Sequence, residues 1–143
     1  MNEPEMIRRI LEETKTIAVV GLSDKPGRAS LGVSKFMQGQ GYRIIPVNPV
    51  ARTVLGEQAY RSLDDAYAAL EGRIDLVNVF RAPEFIPAII HDVIRLRLPA
   101  VWLQEGVVHP QAAREAEQAG VKVVMDRCIL KDRMAAGWRT THL

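Results

Sequence analysis

The sequence predicts an α/β fold, a doubly wound parallel sheet of about five strands with helices on both faces, in one domain spanning residues 1–143. Three observations predict it. Apolar runs without alternation recur along the chain, as strands covered on both faces require. Stretches with apolar residues at helical spacing stand between them. The intervals are too short for anything but crossover units, and 143 residues suffice for one core of ordinary size.

Residues 5–13 carry Met6, Ile7, Ile10 and Leu11 on one helical face. The first strand is Thr16-Ile17-Ala18-Val19-Val20, closed by Gly21. A polar loop over 23–29 leads to a second helix with Leu31, Val33, Phe36 and Met37, which stops at Gly39-Gln40-Gly41. Strand 42–47 follows and is terminated by Asn48-Pro49. Leu63, Ala66, Tyr67 and Leu70 make the next helical stripe, with Ser62 as its cap and Asp65 three residues on. A strand over 76–80, a helix over 83–96 and a strand over 100–103 come next. Pro110 opens a helix that runs to Gln118, 121–125 is the last strand, and a short helix follows Cys128.

Composition narrows the function. Nineteen Lys and Arg against 17 Asp and Glu leave a charge of +2, and no basic run interleaves with aromatics, so no nucleic-acid footprint is expected. A lone cysteine excludes a disulfide within the chain and fits a reducing, cytoplasmic setting. The acidic start, Met1-Asn2-Glu3-Pro4-Glu5, is unlike a secretory signal, and no apolar run nears the roughly 20 residues of a membrane helix. No histidine pair has metal-ligand spacing, so no metal is expected.

In doubly wound sheets ligands sit beyond the carboxyl ends of the strands, where strand order reverses. That rule selects 21–30, 48–49, 80–81, 104–106 and 126–128. The first of these reads as a phosphate site. Gly21 lets a ligand approach the backbone, and Ser23, Arg28 and Ser30 precede a helix whose free N–H groups face an anion. Arg28 adds a fork of donors matched to phosphate, with Lys25 assisting from solvent. On the plainer reading Ser30 is an N-cap and Arg28 a solvated charge. The Gly-x-Gly-x-x-Gly fingerprint is absent, since Ser23 stands at its second glycine. An NAD site also wants a carboxylate at the end of the second strand, and residues 46–52 hold none, the first charge being Arg52. A ligand with an extra phosphate on its adenosine ribose, coenzyme A or NADP, is easier to accommodate.

Other polar residues near the strand ends are each open to two readings. Cys128 beside Arg127 is a reactive thiol or a buried one. Glu105 is an acid or base at the rim, or an anchor for the loop ending at Gly106. Asp126 and Arg127 form an ion pair or take part in chemistry; Asn78 bonds a neighbouring loop; Trp102 is core. His109 is a loop or cap residue, His91 lies in a helix and His142 near the end of the chain. No nucleophile–base–orienter set is legible, so no catalytic residue is assigned.

Several stretches together resemble the small CoA-binding proteins. They are Val19-Val20-Gly21-Leu22-Ser23 with Pro26 and Arg28, and Gly41-Tyr42-Arg43-Ile44-Ile45-Pro46-Val47-Asn48-Pro49. Gly56, Tyr60, Ser62-Leu63, Phe80-Arg81, Trp102-Leu103-Gln104-Glu105-Gly106-Val107 and Val124-Met125-Asp126-Arg127-Cys128 complete the set. The fold of that family resembles the nucleotide-binding N-terminal domain of the succinyl-CoA synthetase alpha subunit. The resemblance implies a Rossmann-like domain binding coenzyme A or an acyl-CoA, with the pyrophosphate on the loop of Gly21, Leu22, Ser23, Lys25, Arg28 and Ser30. It places Val47, Asn48 and Pro49 on the adenosine side and closes Phe80 and Arg81 over the cofactor. The phosphohistidine of the synthetase lies in another domain, and its ligase activity is not carried over. The expected function is a non-catalytic CoA-binding module. Its rivals are an NADP-linked oxidoreductase, which lacks a Tyr-x-x-x-Lys pair here, and thiol exchange or acyl transfer at Cys128. A homodimer through the apolar helix over 83–96 is one further expectation, packing of that helix on the sheet the other.

Overall fold

Each long apolar run becomes a strand of one parallel sheet in the structure, a computed structural model that describes residues 1–137. The chain order is α1 (Pro4–Glu13), β1 (Thr16–Val20), α2 (Ala29–Gly39), β2 (Arg43–Val47), β3 (Thr53–Val54), β4 (Glu57–Gln58) and α3 (Leu63–Ala69). After these come β5 (Leu76–Val79), a 3-10 turn (Pro83–Phe85), α4 (Ile86–Arg95), β6 (Ala100–Leu103), α5 (Pro110–Gln118), β7 (Lys122–Met125) and α6 (Ile129–Ala136).

The sheet order is β2-β1-β5-β6-β7, every neighbouring pair parallel. Alternate residues of β1 divide between two cores. Ile17 and Val19 pack with Ile7, Ile10, Leu11, Met37 and Ile129 from α1, α2 and α6. Ala18 and Val20 pack on the other face with Leu63, Ala66, Ile86, Ile90, Val93 and Ala113 from α3, α4 and α5. Both faces are covered, so strands that pack in two directions need apolar residues at every position, and the runs show no alternation. This is the doubly wound, Rossmann-like single domain that the sequence predicts. The apolar face of α4 packs on the sheet through Ile86, Ile90 and Val93, which is the alternative to a dimer contact.

Two elements differ from expectation. The helix over 83–96 is broken into the 3-10 turn and α4, because Pro87 at the start of α4 has no N–H and its ring crowds the carbonyl four residues back. The hairpin of β3 and β4 has two residues per strand, too few to leave a periodic signal. It leads into Tyr60, which pairs with the outer edge of the sheet: Tyr60 N–H donates to Pro46 O at 2.9 Å and Asn48 N–H to Tyr60 O at 2.8 Å. Pro46 is tolerated in β2 because this is an edge strand. At the opposite edge the Asn2 side chain stands in for a strand, exchanging bonds with Met125 N–H (2.9 Å) and Met125 O (2.8 Å). Among the described residues no helix is long and apolar enough to cross a membrane.

Candidate functional site

Strand order reverses between β1 and β5, the chain winding outward to β2 on one side and to β6 and β7 on the other, so the loops after these strands flank the switch point. Gly21 has φ +88°, and a Cβ there would lie 2.4 Å from Phe80 O and 2.9 Å from Arg81 Cδ. The glycine therefore makes room for the end of the neighbouring strand, where the sequence suggested room for a ligand. Gly21 N–H donates to Val47 O at 3.0 Å and Phe80 N–H to Val20 O at 2.9 Å, which ties together the ends of β2, β1 and β5.

The loop between β1 and α2 is held by its own side chains. Ser23 N–H donates to Ser30 Oγ at 3.0 Å, and Lys25 N–H to Ser23 Oγ at 3.0 Å. Ser30 is thus not an N-cap. It is the second residue of α2, buried, and its hydroxyl fixes the start of the loop. Arg28 occupies the N-cap position without a side-chain cap bond and forms no ion pair among the described residues. Ser62 and His109 do cap their helices, α3 and α5, by accepting from Asp65 and Ala112 N–H. At the start of α2 the N–H groups of Ala29 and Ser30 have no partner among the described residues.

Asn48 joins this loop to the end of β2. Its Nδ2 donates to Leu22 O at 2.8 Å, and its Oδ1 accepts from Val50 N–H at 2.8 Å and Ala51 N–H at 3.3 Å. Leu22 is fully buried and Val47 nearly so, hence both support the site from beneath. Pro49 is exposed on the Asn48 turn.

Two cavities lie on either side of the start of α2. The first, about 400 Å³, has Ser23, Asp24, Lys25 and Arg28 on one wall and Asn48, Val50 and Ala51 on the other. The second, about 350 Å³, is formed by Ala29 and Val33 of α2, by Phe80 and Arg81 after β5, by Gln104, Glu105 and Val107 after β6, and by Cys128. The Arg81 guanidinium lies 3.9 Å from the centre of the Phe85 ring, a cation–π contact. Of the residues singled out in the sequence, Ser23, Lys25, Arg28 and Asn48 converge on the first cavity, and Phe80, Arg81, Glu105 and Cys128 on the second. Asp24, Val50, Ala51, Ala29, Val33 and Val107 also line them. The strand-end rule reaches the first loop, Phe80, Arg81, Gln104, Glu105 and Cys128, whereas Val50 and Ala51 stand on the Asn48 turn just past the 48–49 it selects.

The remaining polar residues have structural partners. Asn78 bonds a neighbouring strand end in place of a loop: its Oδ1 accepts from Gln104 Nε2 at 2.6 Å, and both residues are buried. Asp126 and Arg127 do not pair with each other. Asp126 has φ +62° and accepts from Gly106 N–H at 2.8 Å, while Arg127 binds Asp132 at 2.7 Å, which holds the guanidinium above its ordinary pKa. Gly106 is therefore anchored by Asp126, and Glu105 pairs with Lys131 at 3.1 Å, raising the ammonium pKa. Trp102 is fully buried, donating from Nε1 to Arg127 O at 2.8 Å. Cys128 is half-buried, His91 is exposed on α4, and His142 lies outside the described residues. Among the described residues no group of His, Cys, Asp and Glu is arranged to hold a metal ion.

Known proteins place this architecture. A protein of Bacillus subtilis, "Uncharacterized protein YneT", is 45% identical over 123 residues, covering 86% of this chain and 88% of its own. A solved structure of a hypothetical protein from Pyrococcus horikoshii OT3 is 32% identical with a TM-score of 0.86, covering 94% of this chain and 92% of its own. A second, cell-free ID.343 from Thermus thermophilus, is 35% identical with a TM-score of 0.85, covering 94% and 98%. The family described as "CoA binding domain" matches residues 15–134, through both cavities and every strand of the sheet. The chain belongs to that CoA-binding domain family, and its ligand class is coenzyme A or an acyl-CoA.

Proposed function

We propose that the chain binds coenzyme A or an acyl-CoA as a module without chemistry of its own, and that the loop from Gly21 to Ser30 holds the pyrophosphate. One observation carries the placement. The start of α2 presents N–H groups of Ala29 and Ser30 and a guanidinium of Arg28 that have no partner among the described residues, at the meeting of the two cavities. Helix N-termini with free donors favour anions, and a guanidinium matches phosphate oxygens in pairs.

On this reading the adenosine and its ribose phosphate occupy the first cavity. Lys25 and Arg28 face the phosphates there, Asp24 accepts from a ribose or adenine donor, and the Asn48 turn presents Val50 to the base. Val50 is 87% exposed on a turn held by two hydrogen bonds, so covering it with an adenine face gains apolar contact at little cost in order. The placement follows the likeness to the nucleotide-binding domain of the succinyl-CoA synthetase alpha subunit. We assign the whole of residues 1–143 to this one domain and its work to the cytoplasm.

Calorimetric titration with coenzyme A, acetyl-CoA, NAD and NADP tests the reading, with Arg28→Ala beside the native chain. The CoA pair should bind and the nicotinamide pair should not. Arg28→Ala should weaken CoA binding about tenfold, ~1.4 kcal/mol, with an unchanged melting temperature. Preference for NADP, or unaltered affinity in Arg28→Ala, overturns it.

A further inference from the structure

We propose that the ligand is an acyl-CoA and that Phe85 and Val108 form an apolar rim on which its acyl chain lies, so the protein binds the acylated form in preference to free coenzyme A. This rests on the placement of the pyrophosphate at the start of α2. A ligand anchored there, with its adenosine in the first cavity, directs its thiol end away from that cavity, past the end of β5 and toward the starts of α4 and α5.

Among the described residues only Val50, Phe85, Val108 and Met134 are large apolar side chains left exposed. Single exposed apolar residues are ordinary, but Phe85 and Val108 are not scattered. The helices α4 and α5 pack side by side on one face of the sheet, and each returns from a strand of the same direction, so their starts lie at the same end. Phe85 immediately precedes α4 and Val108 lies two residues before α5. Both also adjoin the wall of the second cavity: Phe85 carries the guanidinium of Arg81 at 3.9 Å, and Val108 follows Val107. Ala82, Pro83 and Pro110 are exposed beside them, with Glu84 the charged exception. Phe85 is 43% exposed and Val108 41%, which leaves apolar surface of each in water. The Arg81 contact already holds the Phe85 ring, so covering it costs little further side-chain freedom. Within the ligand class, the acyl chain is the variable apolar group, and it extends from the end of the ligand that faces this rim. A bare thiol brings no apolar surface to it, whereas each methylene of an acyl chain removes more from water.

The test titrates the native chain, Val108→Ser and Phe85→Ser with coenzyme A, acetyl-CoA and hexanoyl-CoA. It reads the ratio of hexanoyl-CoA affinity to coenzyme A affinity within each protein, so any change that loss of the Phe85 ring makes through Arg81 cancels. The native ratio should be at least about tenfold, with acetyl-CoA between the two, and each variant should bring it below about threefold. Val108→Ser leaves the Arg81–Phe85 contact intact and decides the matter if Phe85→Ser fails to fold. A native ratio near unity overturns the proposal and spares the phosphate loop; that is also the result if a partner protein, and not an acyl chain, covers the rim. A native preference that survives undiminished in the folded variants overturns the role of Phe85 and Val108. If the native chain binds none of the three ligands, the loop assignment falls and the rim with it.

Discussion

Substituting Gly21 with Ala separates two costs that a glycine can hide. Gly21 and Gly27 lie in the same loop with the same φ of +88°, yet a Cβ at Gly27 meets nothing within 4 Å, whereas at Gly21 it meets Phe80 O at 2.4 Å. Left-handed backbone costs a non-glycine residue about 1–2 kcal/mol, and both variants incur that. Gly21→Ala must in addition push the ends of β1 and β5 apart by about an ångström. The bonds at risk are Gly21 N–H to Val47 O and Phe80 N–H to Val20 O, each contributing about 1 kcal/mol. The expected destabilisation is about 1–2 kcal/mol for Gly27→Ala and about 3–4 kcal/mol for Gly21→Ala. Urea unfolding of the two variants and the native chain measures the difference. At about 2–4 °C per kcal/mol for a domain near this size, the melting temperatures should differ by about 4–8 °C. Equal destabilisation would refute the claim that Gly21 exists for close approach of the strand ends.

Three further outcomes are expected. Asn48→Ala removes three hydrogen bonds that join the β1 and β2 loops, so CoA affinity should fall about tenfold by calorimetry; Asn48→Asp, which retains only the Oδ1 acceptor, should fall between. Ser30→Ala leaves Ser23 N–H without its acceptor and should destabilise by about 1–2 kcal/mol in chemical unfolding; no change would remove the hydroxyl from the loop's support. Burial raises the Tyr42 pKa above its ordinary value of 10.0, an effect that Arg133 opposes, so its contribution to stability is present below pH 10 and lost as pH rises through the folded-state value. Tyr42→Phe should therefore lose about 1 kcal/mol at neutral pH, with the bond to Leu11 O, and lose less than the native chain on further rise in pH; an identical alkaline limb would contradict this.

The sheet was legible because two-sided burial leaves a mark on every residue. Ala18 and Val20 face one core and Ile17 and Val19 the other, so the run has no polar gap. The position of the first loop was legible for the same reason, since a strand end is a matter of local sequence. Its internal bonding was not. Ser30 lies seven residues from Ser23 and Asn48 lies 26 from Leu22, and which of a serine's or an asparagine's partners wins is decided by where the next strand brings the backbone. Asp126 and Arg127 illustrate the hazard of adjacency. Opposite charges in neighbouring positions suggest a pair, but the left-handed turn at Asp126 sends its carboxylate to Gly106 and leaves the guanidinium to Asp132. The second cavity was only partly legible, because α2 and the segments after β5 and β6 each contribute only two or three residues to it.

The loop's hydrogen bonds also bear on what kind of protein this is. Ser23, Ser30 and Asn48 all bind backbone groups of the loops themselves, so the side chains nearest the first cavity are fixed without help from a ligand. A site built this way loses little conformational freedom when it is filled, and its binding energy appears as affinity. An enzyme gains rate only from interactions stronger in the transition state than with the bound substrate. Such interactions need a group poised to move a proton or attack an acyl carbon. Two of the candidates are engaged in structure: His109 caps α5 and Glu105, which lines the second cavity with Cys128, pairs with Lys131. On the proposed placement, a site preformed in this way serves recognition of coenzyme A, because little order is lost when it is filled.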